Sequence, residues 1–466
     1  MLVVKALYRH LLSILRYHAA DYDKALYYAR RSAASYIKCK TVFSSKLLER
    51  HIERCADRML PPNLAKNLPP RDDNSIGILA STIFDVGGHT ECLMRFSESF
   101  HAEYDLHLFL TNTSGDSSVE AKTKYGYLKT ILQITSIDAG KGGFGAKIAS
   151  LIESILASRV KMLFVYMHMD DVISCAVLAY LAKYTEVKIV FFNHGDHTFS
   201  LGFESTDLII ELRKQGQFIT QQYRKKQNTA LIPLQGVRSD KLRSYTAEEL
   251  RAKRQELGLS MHDLVSLSGF SSYKVFKDKK NAYLHLIKNL LMSESRCKHI
   301  LVTEISEKER GAINKVFQGS EHLLERLIII DRVVEFDLLL QVADVFIDSF
   351  PLGSALVHID AIRNRRPTVI KKNSRNELYT FYNYLYDDYE YAVESVEEML
   401  EKTLFLLRNK EERRCVAERC YQHYLDTYEF DTIKSQYRLL IDNHQSLSRF
   451  YTALPAGYVC KIACNA

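Results

Sequence analysis

The sequence predicts an α/β protein that contains two sheets of parallel strands and begins with a helical segment. Short apolar runs alternate with helical patterns along two stretches of the chain, and this alternation is typical of parallel sheets covered by helices. A proline-rich stretch and a charged helix separate the three parts from one another. At 466 residues, of which 47% are hydrophobic, the chain is long enough for two domains with their own cores.

The first part, residues 1–60, is predicted to be a helical arm. Its apolar residues recur at helical spacing, namely Leu2, Leu7, Leu11, Ile14 and Leu15. The arm contains twelve Lys and Arg residues against five Asp and Glu residues, an excess equal to the net charge of +7 of the whole chain. An acidic protein or an anionic membrane is therefore a predicted partner. Hydration of a charged helix face explains the same pattern without a partner.

The rest of the chain divides at turn-forming residues. Residues 61–74 are predicted to be a linker, because proline pairs stand near both ends. A first sheet domain is predicted over 75–240, with strands at 76–81, 104–110, Val160–Tyr166 and 187–192 and with edge strands at 208–210 and 230–232. A charged helix at 247–257 precedes a second sheet domain over 259–392, with strands at 264–267, 299–302, Leu327–Ile330, Val345–Ile347 and 368–370. Residues 393–466 are predicted to be helical.

Composition argues against several classes of protein. The nine cysteines lack the spacing of a zinc site, and the first residues lack a secretory signal, so reduced thiols and a cytoplasmic location are predicted. No stretch of about 18 apolar residues predicts a membrane span. Membrane contact, if present, is therefore predicted to be peripheral, at the inner face of the membrane. No pattern of a DNA- or RNA-binding module is present, so nucleic acid is not a predicted partner.

A glycine pair follows the first predicted strand of the first domain. Gly87 and Gly88 allow a ligand to approach the backbone closely, and the helix start behind them favours an anion. His89 stands next to them and is a candidate general base, because imidazole titrates near neutral pH. A tight turn without a ligand is the alternative explanation.

Further polar residues follow later strands of the same domain. His168 comes after the strand Val160–Tyr166, and Asn193, His194, Asp196 and His197 come after the strand at 187–192. At the carboxyl ends of parallel strands they are candidates for contact with an acceptor or donor. His197 is a second candidate base. A polar loop without a ligand remains the alternative, and no metal site is predicted because a third ligand is missing.

The most informative stretch, residues 342–370, reads as strand, turn, helix and strand. The apolar run Val345–Ile347 ends at Asp348, a turn with Pro351 and Gly353 follows, and Asp360 lies on the next helix. In an open parallel sheet such a turn presents small residues and backbone N–H groups to a ligand. Asp360 is placed where a sugar hydroxyl would meet it.

This stretch resembles the donor-binding segment of glycosyltransferases with the GT-B fold, and among them the O-GlcNAc transferase and bacterial N-glucosyltransferase family. Asp348, Phe350, Pro351, Gly353 and Asp360 match the family pattern in kind and spacing, whereas Ser354-Ala355-Leu356 replaces its Asn-Thr-Asn. The segment before Lys274 is similar to the one whose lysine contacts the donor diphosphate. The resemblance implies two Rossmann-like domains, and a final helix at 431–440 that crosses back to the first.

The resemblance also implies a function, the transfer of a sugar from a nucleoside-diphosphate sugar, with uridine as the expected nucleoside, to a glycan or protein acceptor. No cofactor or metal is expected beyond the donor substrate. The candidate catalytic residues are His89, His197 and Lys274. The candidate donor-binding residues are Gly87, Gly88, Lys274, Phe350, Pro351, Gly353, Ser354, His358 and Asp360. The candidate acceptor or cleft residues are His168, Asn193, His194 and Asp196.

Two other functions remain open from the sequence. A sugar-nucleotide epimerase of GT-B-like architecture shares the donor site but needs no acceptor. A non-enzymatic adaptor would use the basic helices to recruit partners, and a fold by itself does not exclude it. The stereochemical outcome also stays open, although the Glu pair expected around this turn in retaining enzymes is absent and inversion is favoured.

Overall fold

A computed structural model describes residues 1–61, 64–65, 72–85, 87–113, 119–137, 142–331, 335–374 and 376–462. The chain divides into two compact units. Apart from a few residues at the carboxyl end, unit 1 comprises Met1–Gln235 and Ile433–Cys460, and unit 2 comprises Gly236–Thr432. Among the described residues, no helix is both long enough and apolar enough to cross a membrane.

Unit 1 begins with three helices, α1 (Leu2–His18), α2 (Tyr22–Tyr36) and α3 (Lys46–Met59). Asp21 and Ser45 cap α2 and α3 by accepting hydrogen bonds from first-turn N–H groups. The segment predicted as a separate arm is instead part of the unit, because small and aliphatic side chains of all three helices are buried in the same core as the helices that cover the sheet. The predicted linker also ends early, since residues 72–74 already belong to the first strand.

The sheet of unit 1 has seven parallel strands in the order β3-β2-β1-β4-β5-β6-β7. The strands are β1 (Asp72–Ala80), β2 (Asp105–Leu110), β3 (Gln133–Ser136), β4 (Val160–Tyr166), β5 (Lys188–Phe192), β6 (Leu208–Glu211) and β7 (Thr229–Leu231). The segment predicted as an edge strand at 208–210 is an inner strand, and all four residues of β6 are buried. The sequence pattern missed β3, because this short edge strand is only partly buried and has a single aliphatic residue.

Helices connect the strands of unit 1 and cover its sheet. They are α4 (Gly88–Phe100), α5 (Thr123–Ile131), α6 (Phe144–Ala157), α7 (Val172–Tyr184) and α8 (Lys214–Gln222). Burial is deepest in α7, where ten consecutive residues from Val172 to Leu181 are inaccessible. Asp171 caps this helix and also accepts hydrogen bonds from the hydroxyls of Ser81, Thr111 and Ser174.

Unit 2 contains a second parallel sheet in the order β10-β9-β8-β11-β12-β13. Its strands are β8 (Leu264–Gly269), β9 (Cys297–Val302), β10 (Leu327–Ile330), β11 (Val345–Ile347), β12 (Thr368–Lys371) and β13 (Ala392–Val393). Its helices are α9 (Ala247–Glu256), α10 (Tyr273–Phe276), α11 (Ala282–Ser293), α12 (Glu307–Phe317), α13 (Phe336–Val342), α14 (Leu356–Arg363), α15 (Val396–Arg408) and α16 (Lys410–Thr427). Only the two-residue strand β13 was not predicted.

The carboxyl-terminal region is shared between the units. The helices α15 and α16 belong to unit 2, whereas α17 (Phe430–Asp442) passes into unit 1 at Ile433. In unit 1 the Tyr437 ring lies 5.2 Å from the Phe96 ring and 6.1 Å from the Phe164 ring, measured between centroids. The expected return of the last helix to the first domain is therefore observed, although residues 393–466 do not form one body.

Candidate functional site

Both sheets reverse their strand order at one place, and ligands of open α/β sheets bind at that place. In unit 1 the reversal lies between β1 and β4, and in unit 2 it lies between β8 and β11. The segments that follow these four strands contain most of the residues selected from the sequence. The topology therefore supports two candidate binding edges, one in each unit.

The edge of unit 2 contains a lysine that reaches the turn after β11. Lys274 lies on the short helix α10, and its Nζ donates to the carbonyl of Gly353 at 2.9 Å and to the hydroxyl of Ser354 at 3.2 Å. Burial lowers the pKa of Lys274, while the negative charge of Asp348 opposes that shift. A partly desolvated ammonium group thus lies beside the small residues of the turn.

The turn after β11 has no room for a larger residue at Gly353. A Cβ atom there would lie 2.7 Å from Oδ2 of Asp348 and 3.1 Å from the Phe381 ring. The Asp348 carboxylate holds the next residue in place, because its Oδ1 accepts the backbone N–H of Ser354 at 3.0 Å. The geometry of the turn therefore depends on the glycine and on the buried acid together.

Two buried polar groups at this edge have unpaired atoms. Neither ring nitrogen of His358 has a hydrogen-bond partner, and the same is true of Oδ2 of Asp348, which lies 3.7 Å from Nε2 of His358. Burial raises the pKa of the Asp348 carboxyl and lowers the pKa of His358 to about 3. Unpaired buried polar atoms are costly and concentrate at functional sites. These atoms are therefore available to a ligand at no further cost in broken hydrogen bonds.

The helix α14 begins immediately after this turn. Ala355 precedes it, and no side chain caps its first turn, a position that favours an anion. Asp360 lies in the second turn, where Oδ1 is 3.5 Å from a guanidinium nitrogen of Arg363. Phe350 is buried, with its ring 5.7 Å from the ring of Tyr283, and its bond to Pro351 is cis. The Phe350 side chain thus packs against Tyr283 in the interior of unit 2.

The edge of unit 1 is built on the glycine pair after β1. Gly87 adopts a φ of +130°, which strains any residue with a side chain, and Gly88 begins α4. Nε2 of His89 donates to the carbonyl of Tyr166 at the end of β4, at 2.8 Å. This hydrogen bond leaves the lone pair on Nδ1, which is buried and has no partner. His89 is therefore fixed in one tautomer with an unused proton acceptor.

Two more histidines surround His89. The ring centroid of His194 is 4.6 Å away and that of His168 is 5.4 Å away, and the His168 ring stacks on Phe84. Burial lowers the pKa of His89 to about 4 and also lowers the pKa values of His168 and His194. All three imidazoles are consequently neutral at neutral pH. The structure brings together three of the histidines that the sequence pattern selected from separate loops.

The other polar residues after β5 are engaged within the unit. Asp196 forms a buried two-point ion pair with Arg213, at 2.6 and 3.0 Å, and His197 lies 3.4 Å from the same carboxylate. Burial opposes ionisation of Asp196, but Arg213 and His197 hold its pKa below the ordinary value. The amide of Asn193 donates to both carboxylate oxygens of Glu211 at 2.9 and 3.0 Å. These contacts hold the loop in place, and the predicted contact of Asn193, Asp196 and His197 with an acceptor or donor stays a prediction.

Asp348 belongs to the sequence pattern of residues 342–370 but was not among the predicted site residues. The signal that was available is its position, a single acid directly after an apolar strand at the reversal of the sheet. Among the described residues, no group of three or more His, Cys, Asp or Glu side chains is arranged to hold a metal ion. The candidate residues therefore form two separate sets, one with Lys274, Asp348, Ser354 and His358 in unit 2 and one with the three histidines in unit 1.

Comparison with known proteins identifies the fold. No protein-family model matches the chain, and no curated protein matches it in sequence. Solved structures do match. HepE of Anabaena in complex with UDP and glucose is 14% identical with a TM-score of 0.63, and the match covers 79% of this chain and 99% of HepE. A glycosyltransferase from Rickettsia africae is 12% identical with a TM-score of 0.65, and the match covers 80% of this chain and 98% of that protein.

A third match agrees with the resemblance seen in the sequence. A mutant O-GlcNAc transferase of Thermobaculum terrenum is 11% identical with a TM-score of 0.56, and the match covers 96% of this chain and 84% of that protein. Identity at this level is evidence for shared architecture rather than for shared chemistry. The two Rossmann-like strand orders and these matches together show that the chain has the fold of the GT-B glycosyltransferases.

Proposed function

We propose that this protein is a glycosyltransferase that binds a uridine-diphosphate sugar at the edge of unit 2 and transfers the sugar to a hydroxyl or amide group of a glycan or protein acceptor. The observation that carries the proposal is the position of Lys274. Its ammonium group lies at the reversal of the sheet, against the turn that opens α14. The UDP in the structure of HepE supports the choice of uridine.

The donor diphosphate would be held by two sources of positive potential. Lys274 supplies a full charge, and the uncapped start of α14 supplies N–H groups and the positive end of a helix dipole. Because burial weakens the hydration of Lys274, its interaction with a phosphate is stronger than that of a surface lysine. Ser354 adds a hydroxyl in place of the Asn-Thr-Asn of the resembling family. Asp360 is proposed to bind a ribose hydroxyl.

The reaction would break the bond between the anomeric carbon and the oxygen of the diphosphate. The electron pair leaves with the diphosphate, and Lys274 stabilises the charge that develops there, so no metal or further cofactor is part of the proposal. The acceptor oxygen or nitrogen forms the new bond to the anomeric carbon and gives up its proton. His89 is proposed to take this proton on Nδ1, since that atom is unprotonated and has no hydrogen-bond partner.

The proposal is tested by incubating the protein with single donors and separating the products. UDP-glucose, UDP-N-acetylglucosamine and GDP-mannose form a suitable set, without acceptor for slow hydrolysis and with a mixture of glycans and peptides for transfer. We expect release of UDP from at least one uridine donor and none of GDP. Interconversion of a uridine donor without release of UDP would favour the epimerase. No reaction and no binding of any donor would favour the adaptor.

A further inference from the structure

The first helix presents an apolar stripe to solvent. Val4, Leu7, Leu11 and Leu15 lie one turn apart on the same side of α1, and their exposed fractions are 68%, 53%, 53% and 56%. Tyr8, at 59%, borders the stripe. Scattered exposed aliphatic residues are ordinary on a protein surface, whereas a continuous stripe of this kind marks an interaction surface.

The opposite side of α1 is fixed to the rest of unit 1. Ala6, His10 and Ser13 are buried there. The Ser13 hydroxyl lies 2.5 Å from the carbonyl of Ala25 on α2 and 2.8 Å from Nε2 of His51 on α3. The exposed stripe therefore lies on a different side of α1 from the residues that pack within unit 1.

Exposed positive charge lies on the same helix and on its neighbour. The helix Leu2–His18 contains no Asp or Glu, and Lys5 and Arg16 are exposed on it. On the neighbouring α3, Arg50 and Arg54 are also exposed. Within the described part of the chain, no ion pair is found for Lys5, Arg50 or Arg54. The first 60 residues thus combine the net positive charge of the protein with its exposed aliphatic stripe.

We propose that α1 is an interfacial helix by which the protein binds the surface of a membrane rich in anionic lipid. Leucine and valine side chains would enter the boundary between headgroups and acyl chains, and the flanking Lys and Arg residues would contact the headgroup phosphates. A second copy of the chain fits this face less well, because an isologous contact would bring the two basic surfaces together. The proposal is independent of the glycosyltransferase activity.

The test is co-sedimentation of the full chain with vesicles. One set contains phosphatidylcholine alone, and the other contains equal parts of phosphatidylcholine and phosphatidylglycerol. Leu11→Gln removes one side chain of the stripe, and Leu439→Gln is the matched control, because Leu439 is 57% exposed on α17 of the same unit. Arg54→Gln removes one cation, and Arg251→Gln on α9 is its control. All four positions are exposed, so a melting curve of each variant should match that of the wild type.

We expect binding to the mixed vesicles that falls about tenfold in Leu11→Gln, from the loss of one buried aliphatic side chain. Arg54→Gln should lower it by about fivefold at low salt and by less at high salt. Both controls should bind as the wild type does. Equal binding by Leu11→Gln and the wild type, equal binding to neutral and anionic vesicles, or no binding by the wild type would each overturn the proposal. An acidic protein would then be the partner to seek.

Discussion

The two sheet edges share a topology but differ in chemistry. Each lies where the strand order reverses, and each is built from the segments after two neighbouring strands. In unit 2 the edge contains the charged Lys274 and the buried acid Asp348, next to an uncapped helix start. In unit 1 it contains three neutral imidazoles, and Nδ1 of both His89 and His194 has no hydrogen-bond partner.

This difference indicates which ligand each edge can take. A concentration of positive potential suits a diphosphate, which carries full negative charge. Neutral imidazoles have no such charge to offer, whereas the unpartnered Nδ1 of His89 can accept a hydrogen bond from a polar, uncharged group. One topology therefore supports two roles, and side chains decide between them. Substitutions that affect one role and spare the other test this division.

The largest effect is expected from Lys274→Ala. Loss of the charge that faces the leaving diphosphate should lower kcat about 10²- to 10³-fold, measured as UDP release from the preferred donor. Lys277→Ala is the control, because Lys277 lies three residues further on, with its Nζ over the Tyr273 ring. A variant that keeps more than a third of the wild-type kcat would remove Lys274 from the reaction.

A smaller loss, of about a hundredfold, is expected for His89→Gln in transfer to an acceptor. Gln keeps a donor for the carbonyl of Tyr166 but has no lone pair of comparable basicity. Binding of UDP should not change, since the substitution lies in the other unit. His101→Gln, at the end of the same helix, is the control. If transfer by His89→Gln proceeds at the wild-type rate, His89 is not the base.

Asp360→Asn should weaken UDP binding by about fivefold to tenfold while kcat changes little, because a ribose contact is equal in the ground state and the transition state. Asp337→Asn is a close control, since Asp337 and Asp360 contact the same guanidinium of Arg363, at 2.6 and 3.5 Å. Calorimetric titration with UDP separates them. Equal weakening in the two variants would show that Asp360 acts only through Arg363.

The smallest effect is expected on the pH dependence of the stability of unit 1, through Glu211. Burial raises the pKa of Glu211 from 4.5 to about 7, so the folded state retains a proton that the unfolded state releases. This group therefore lowers stability as pH rises from about 4.5 to about 7, by up to about 3 kcal/mol, and has a constant effect above that range. Glu211→Gln should remove this contribution. Its stability relative to the wild type should increase over the same interval in urea denaturation, and a difference that does not vary with pH would contradict the assignment.

Much of the fold follows from the sequence because buried parallel strands are continuous apolar runs. The predicted strands at Val160–Tyr166, Leu327–Ile330 and Val345–Ile347 have the observed limits. The partly exposed strand β3 and the two-residue strand β13 have no such run. The helices α1–α3 were recognised as helices, but α2 and α3 also pack against α6 and α7, which lie far along the chain.

The candidate site residues were also predictable only in part. The turns at Gly87 and Gly353 could be predicted from the sequence, because a positive φ at Gly87 and a lack of space for a side chain at Gly353 both favour glycine. The ion pair between Asp196 and Arg213 could not be predicted from the sequence, since either residue alone is compatible with a ligand contact. The sequence thus predicted which polar residues follow the strands, whereas their hydrogen-bond partners could be known only from the three-dimensional contacts.

The most direct test of the division between the two edges is calorimetric titration of UDP into the wild type, Lys274→Ala and His89→Gln. We expect the wild type and His89→Gln to bind one equivalent of UDP with equal dissociation constants. We expect at least about tenfold weaker binding by Lys274→Ala, from the loss of one charge-assisted contact. Equal binding by the wild type and Lys274→Ala, or weakening by His89→Gln alone, would contradict it.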